Sequence, residues 1–148
     1  MATRTSYLID TGIIIRQLRG DARAGELLNA LSASGEIVTA AVTAFEIYGG
    51  CRSQSDERAA TALFDLIPVI ELTHEVARAG GAVMRAYPGV FSSDRAAIDA
   101  LIAGTAIVAE AALVTLNTRQ FAREAIEGLE ILVLDQEASD WTGNVGSR

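Results

Sequence analysis

Five short apolar runs punctuate the chain, near residues 6–10, 36–40, 69–72, 113–116 and 130–134, and helix-length stretches separate the first four. A run of four to eight apolar residues closed by turn signals fits a strand covered on both faces. Strands that alternate with helical stretches close into a largely parallel sheet with helices on both sides. The expected fold is therefore a single α/β domain over residues 1–148, with a five-stranded, mainly parallel sheet. Half of the chain is hydrophobic, enough for a sizeable core at this length. That core should span about residues 6–135, and residues 136–148, with Gly143, Gly146 and Ser147, read as a flexible tail.

The first run, Tyr7-Leu8-Ile9-Asp10-Thr11-Gly12, delivers an acid to a strand end. In open α/β sheets, ligands gather beyond the carboxyl ends of the strands. The competing reading is that Asp10 caps the helix that follows. Helices are expected over Ile13–Leu18, Ala22–Leu31, Asp56–Leu66, His74–Tyr87 and Arg95–Ala112. After Glu36-Ile37-Val38-Thr39-Ala40, Thr43 precedes Glu46 at the spacing of a capping box. Against the box, Gly49 and Gly50 leave the helix face beside Glu46 bare, with Phe45 and Tyr48 expected on the packing side. Space beside an acid suits a ligand. Further on, Ser92-Ser93-Asp94 signals a helix start with Asp94 as its cap. Asp99 then lies among Ile98, Leu101 and Ile102, where an acid is costly to bury unless paired or bound to a metal. Asn117 follows the fourth strand.

Composition excludes several chemistries. A formal charge of −7 argues against bulk electrostatic binding of nucleic acid, though not against an enzyme acting on it. All twelve basic residues are arginine, so no mechanism can use a lysine amine. One cysteine, Cys51, and one histidine, His74, allow neither an internal disulfide nor a zinc site of finger type. His74 reads as a surface residue in a first helical turn. No apolar run is long enough to span a bilayer and the N-terminus carries no secretory pattern, so a cytoplasmic protein is expected.

If Asp10 and Asn117 follow strands at one edge, and Glu46 and Asp99 lie in early helical turns there, the acids converge. Carboxylates held together raise one another's pKa or bind a cation. Oxygen donors without imidazole or thiolate select hard ions, Mg²⁺ or Mn²⁺. Such an ion activates water for attack on a phosphodiester.

Leu8-Ile9-Asp10-Thr11, Thr43-Ala44-Phe45-Glu46-Ile47, Ile98-Asp99-Ala100-Leu101-Ile102-Ala103 and Leu113-Val114-Thr115-Leu116-Asn117-Thr118-Arg119-Gln120-Phe121 together resemble the PIN domain, and more narrowly the VapC toxins of toxin–antitoxin pairs. The resemblance covers residues 7 to about 134. It implies a Mg²⁺- or Mn²⁺-dependent endoribonuclease that cuts RNA, forms a homodimer and is inhibited by a VapB-type antitoxin. Carried over by position, the catalytic residues would be Asp10, Glu46, Asp99 and Asn117, with the three acids as metal ligands. Thr11, Thr43, Thr115 and Arg119 would support them. Where many relatives have an aspartate before the phenylalanine, this chain has Gln120. That departure keeps open a degenerate PIN domain that binds RNA or a protein without cutting. A phosphoacceptor module also places an acid after a strand. It would need a lysine near the phosphoryl group, and the chain has none.

Overall fold

The computed structural model describes residues 5–91, 93, 95–117, 121 and 125–145. Its five strands are β1 (Ser6–Ile9), β2 (Glu36–Ala40), β3 (Val69–Ile70), β4 (Ala111–Thr115) and β5 (Ile131–Val133). They form one sheet in the order β3-β2-β1-β4-β5, and every pairing is parallel. Six α-helices lie among the described residues: α1 (Thr11–Leu18), α2 (Ala22–Ser34), α3 (Ala41–Gly50), α4 (Gln54–Leu66), α5 (His74–Ala86) and α6 (Ala96–Val108). His74 is exposed in the first turn of α5, which Thr73 caps by accepting from the Val76 amide.

Side chains alternate across a strand, and both faces of this sheet are covered. Leu8, Val38 and Leu113 enter one core with Val83 of α5 and Ala100, Ile102 and Ala103 of α6. Ile9 and Val114, their neighbours along the strands, enter the other with Ile13 and Ile14 of α1 and Leu27 and Leu31 of α2. On the first side α5 and α6 meet backbone to backbone. A Cβ added at Gly104 would lie 2.5 Å from the Gly80 nitrogen. This close approach seats the start of α6 against the sheet.

Three departures from the sequence reading have a clear physical cause. The expected helix through Ala112 ends at Val108, and Ala111 and Ala112 pair with Ser6 and Tyr7 instead. Alanine's helix preference favours the longer helix, but Glu110 takes a left-handed turn, φ 52°, and starts the strand. The strand expected over residues 69–72 stops at Ile70, since its only neighbour, β2, ends at Ala40 where α3 begins. The largest correction concerns the tail. Trp141 is 2% exposed, and its Nε1 donates to the Asp135 carbonyl at 2.9 Å. The Arg23 guanidinium stacks 4.3 Å from the centre of its ring, donates to the carbonyls of Gln136 and Ala138, and is itself held by Asp21. Small and polar residues dominate this stretch, but a single indole with a cation over its face anchors it.

Trp141→Ala should therefore cost about 3 kcal/mol of stability, at the low end for a buried aromatic. Urea unfolding followed by circular dichroism would read this as a lower midpoint. A free tail would leave the midpoint unchanged.

Candidate active site

The order of the strands fixes where a site can form. From β1 the chain winds outward through β2 to β3, then returns to the other side of β1 for β4 and β5. The reversal opens a crevice at the carboxyl ends of β1 and β4, the usual place for a ligand in such sheets. Asp10 directly follows β1, Thr115 ends β4, and Asn117 lies two residues further on.

Asp10 is 6% exposed, caps α1 and stands at the carboxyl edge of the sheet. As the cap of α1 its Oδ1 accepts from the Thr11 amide at 2.7 Å, and its carbonyl accepts from the amides of Ile13 and Ile14. Its Oδ2 accepts from the Thr115 hydroxyl at 2.5 Å. The Asp10 amide donates to the Val114 carbonyl, extending the β1–β4 ladder by one bond. Each carboxylate oxygen still has a lone pair to offer.

Glu46 reaches the crevice from α3. The capping box does not form. The helix starts earlier, at Ala41, with no side-chain cap, and Thr43 lies inside its first turn. Thr43 is buried, and its hydroxyl pairs with that of Thr11 at 3.1 Å. Thr11 in turn donates to Glu46 Oε1 at 2.8 Å. Phe45 and Tyr48 are not the packing side: Phe45 is 70% exposed, and Tyr48 lies against Phe64 of α4 with its hydroxyl on Thr61. Val42, Thr43 and Ile47 form the buried side of the helix instead. The face beside Glu46 is indeed open. A Cβ at Gly49 or Gly50 would meet nothing within 4 Å, and a groove of about 290 Å³ runs from Glu46 along Ile47, Gly50, Ile15 and Ala59.

Asp99 lies in the first turn of α6, 4% exposed. The Asn117 side-chain amide donates to its Oδ2 at a long 3.5 Å, while the Asn117 backbone amide is fixed by Thr115 Oγ1 at 2.9 Å. The structure thus brings Asp10, Glu46, Asp99 and Asn117 around one crevice, with Thr11, Thr43 and Thr115 bonded among them. Arg119 and Gln120 lie outside the described residues, as does Asp94, the expected cap of α6.

One residue escaped the sequence reading. Arg95, just ahead of α6, reaches across to α3 and donates from Nη2 to Glu46 Oε2 at 2.5 Å. An arginine one helical turn before an acid already suspected of a site was the available signal. Its charge acts on the whole group. Burial raises the Asp10 pKa, against the hydrogen bonds from Thr115 and Thr11, with Glu46 adding to the rise and Arg95 opposing it. Burial and then the Asp10 charge push Asp99 up to about 6, opposed by Arg95 and Asn117. The Glu46 carboxylate keeps the Arg95 guanidinium firmly charged. Burial pushes the Cys51 thiol up, away from the thiolate form that a nucleophile needs.

Buried carboxylates that raise each other's pKa are the donor chemistry a hard divalent cation satisfies. Among the described residues no three His, Cys, Asp or Glu side chains are grouped to hold an ion together, and Glu46 is turned to Thr11 and Arg95. Mg²⁺ keeps several waters and needs only one or two protein carboxylates. Asp10 and Asp99 supply two, so the residues fit such an ion.

The PIN domain family model matches residues 7–127. The chain belongs to the PIN-domain family. Within that family it is 40% identical over 117 residues to Ribonuclease VapC19 of Mycobacterium tuberculosis, a match covering 77% of this chain and 90% of the relative. Ribonuclease VapC10 of the same organism is 33% identical over 115 residues, covering 77% and 84%. The PIN fold also superposes on a chain from the crystal structure of VapBC2 from Rickettsia felis bound to a DNA fragment from their promoter, with TM-score 0.72 at 19% identity, over 88% of this chain and all of that one. At that identity the likeness concerns fold alone. Among the described residues of this PIN domain, no helix is long and apolar enough to cross a membrane.

The metal-free PIN domain should lose stability as pH rises. Asp99 holds its proton up to about pH 6 when folded, against an ordinary value of 3.8, so the folded state binds more protons than the unfolded one between these limits. Its contribution is complete below about pH 4 and gone above about pH 7, a swing on the order of 2–3 kcal/mol. In EDTA the melting temperature should be higher near pH 5 than at pH 7.5. Asp99→Asn should raise the pH 7.5 value and flatten that difference; an unchanged slope would rule out Asp99 as its source.

Proposed function

We propose that this protein is a divalent-metal-dependent endoribonuclease acting as the toxin of a VapBC-type pair. The observation that carries the reading is the buried pair of acids, Asp10 and Asp99, at the crevice beside β1 and β4, in a chain 40% identical to a VapC ribonuclease. When bound, Mg²⁺ or Mn²⁺ supplies an activated water for attack on an RNA phosphodiester and steadies the leaving oxygen. The chain's own residues prepare the site. Thr115 and the Thr11 amide fix the Asp10 carboxylate in one orientation, so no side-chain search precedes ligation. Asn117 orients Asp99 from the opposite side, and an amide in place of an acid spares the crevice a further negative charge. Glu46 is the third acid, at the mouth of the open groove.

Asp10→Asn removes one charge at constant shape. RNA cleavage in Mn²⁺ should fall at least about a hundredfold, the scale of losing a group that acts only in the transition state. The melting temperature should hold or rise, since a buried charge disappears. Cleavage at the wild-type rate would refute the role of Asp10. The same reading includes a twofold homodimer, for which exposed Phe45 and Leu66 offer apolar surface. Light scattering should return twice the chain mass of 15.6 kDa.

The reading also includes a VapB-type antitoxin that neutralises the crevice with arginine. A guanidinium can bridge two carboxylates with paired hydrogen bonds, and Glu46 already accepts one from Arg95. Raising Mn²⁺ should weaken the inhibition, and replacing the partner's arginine by alanine should restore cleavage. Inhibition that survives the replacement would mean that the partner acts by covering the groove.

A further inference from the structure

We infer that Arg95 is an internal counter-ion of the acidic crevice, which competes with the divalent cation for Glu46 and must release that carboxylate before the site loads fully. This rests on the metal-dependent reading above and extends it to a residue of this chain.

Four observations carry it. Glu46 is the only one of the three acids in a salt bridge among the described residues, and its partner comes from the segment just ahead of α6, the helix that carries Asp99. The two Glu46 oxygens are both engaged, Oε1 by Thr11 and Oε2 by Arg95. Among the described residues no three acids are grouped to share an ion in this arrangement. Finally, the guanidinium is free to leave. The Arg95 side chain is 66% exposed against 15% for Glu46, so on release the cation regains water while the carboxylate stays where it is.

Physically, a divalent ion approaching Oε2 meets the guanidinium already seated there, and two positive charges on one oxygen repel. A divalent ion entering between Asp10 and Asp99 meets one positive charge already placed against the cluster, which opposes its entry and withholds a third carboxylate. An arginine is suited to this post because it cannot discharge itself by losing a proton. The pair is exposed on the arginine side, so its strength is modest and exchange is easy. The result is a threshold. Without metal the crevice is neutralised from within, and the divalent concentration at which it loads is set by the Arg95–Glu46 bond. Arg95 acts through Glu46 and is a positioning residue in this scheme.

The test is direct binding of Mn²⁺, titrated by electron paramagnetic resonance of the free ion, with no RNA present. Arg95→Ala should bind Mn²⁺ about two- to fivefold more tightly than wild type, the scale of one exposed ion pair. In EDTA its melting temperature should fall, and the rise on adding Mn²⁺ should exceed that of wild type. Arg95→Lys keeps the charge and should lie between. In a Glu46→Gln background, Arg95→Ala should tighten Mn²⁺ binding by less than it does in the wild-type background, because the part of the competition that runs through that carboxylate is gone. Equal or weaker Mn²⁺ binding by Arg95→Ala, with wild type binding normally, overturns this inference alone and makes Arg95 a support for Glu46. Failure of wild type to bind Mn²⁺ at all overturns the metal-dependent reading and this inference with it.

Discussion

A carboxylate taken out of water has to be met by donors, and the position of Asp10 makes that demand organise much of the fold around it. Its side chain draws one bond from α1 and one from the end of β4, while its backbone bonds to β4 on one side and to the first turn of α1 on the other. Five bonds from one residue thus tie the central strand, its neighbour and the following helix to a common point. Each would be worth about 1 kcal/mol in isolation. Their joint effect is to fix the geometry of the crevice, because loss of any donor would leave a buried charge without an answer.

Threonine hydroxyls carry this order outward. Thr39, buried on β2, donates to the Ile9 carbonyl and locks the last residue of β1 from the other side. Thr115 holds Asp10 with its proton and accepts from the Asn117 amide with a lone pair, so one hydroxyl sets both the acid and the chain leaving β4. Thr11 and Thr43 then link the Asp10 end of α1 to Glu46 on α3. Hydroxyls suit this task because each is donor and acceptor at once and adds no charge to a crevice already crowded with negative ones. Among the described residues no buried side-chain nitrogen or oxygen lacks a partner.

The electrostatic balance is resolved unevenly. Burial lifts Asp10 and Asp99 toward the protonated form, against the neutral donors that answer them. Glu46 is nearer solvent and answered by a cation. The site therefore divides into a rigid inner pair and an outer acid on a releasable bond. That division follows from position: Asp10 follows the central strand and Asp99 lies buried in the first turn of α6, whereas Glu46 lies on a helix face left bare by Gly49 and Gly50.

The sequence determined what local pattern can determine. The apolar runs gave the strands because their period and length admit little else, and the helix between them follows from the same spacing. Asp10, Glu46, Asp99 and Asn117 stood out because each is a polar residue set against an apolar run, a cost that needs a reason. Only the tertiary structure decided the pairings that depend on distance in space. The order β3-β2-β1-β4-β5 brings Thr115 to Asp10 and Asn117 to Asp99. The packing of α3 through Val42, Thr43 and Ile47 exposes Phe45 where sequence spacing had it packed. Arg95 meets Glu46 across 49 residues, and Arg23 meets the tail across more than a hundred. An arginine's reach and partner are not written in its neighbours, since a long flexible side chain goes wherever the assembled charges and open space place its best acceptor.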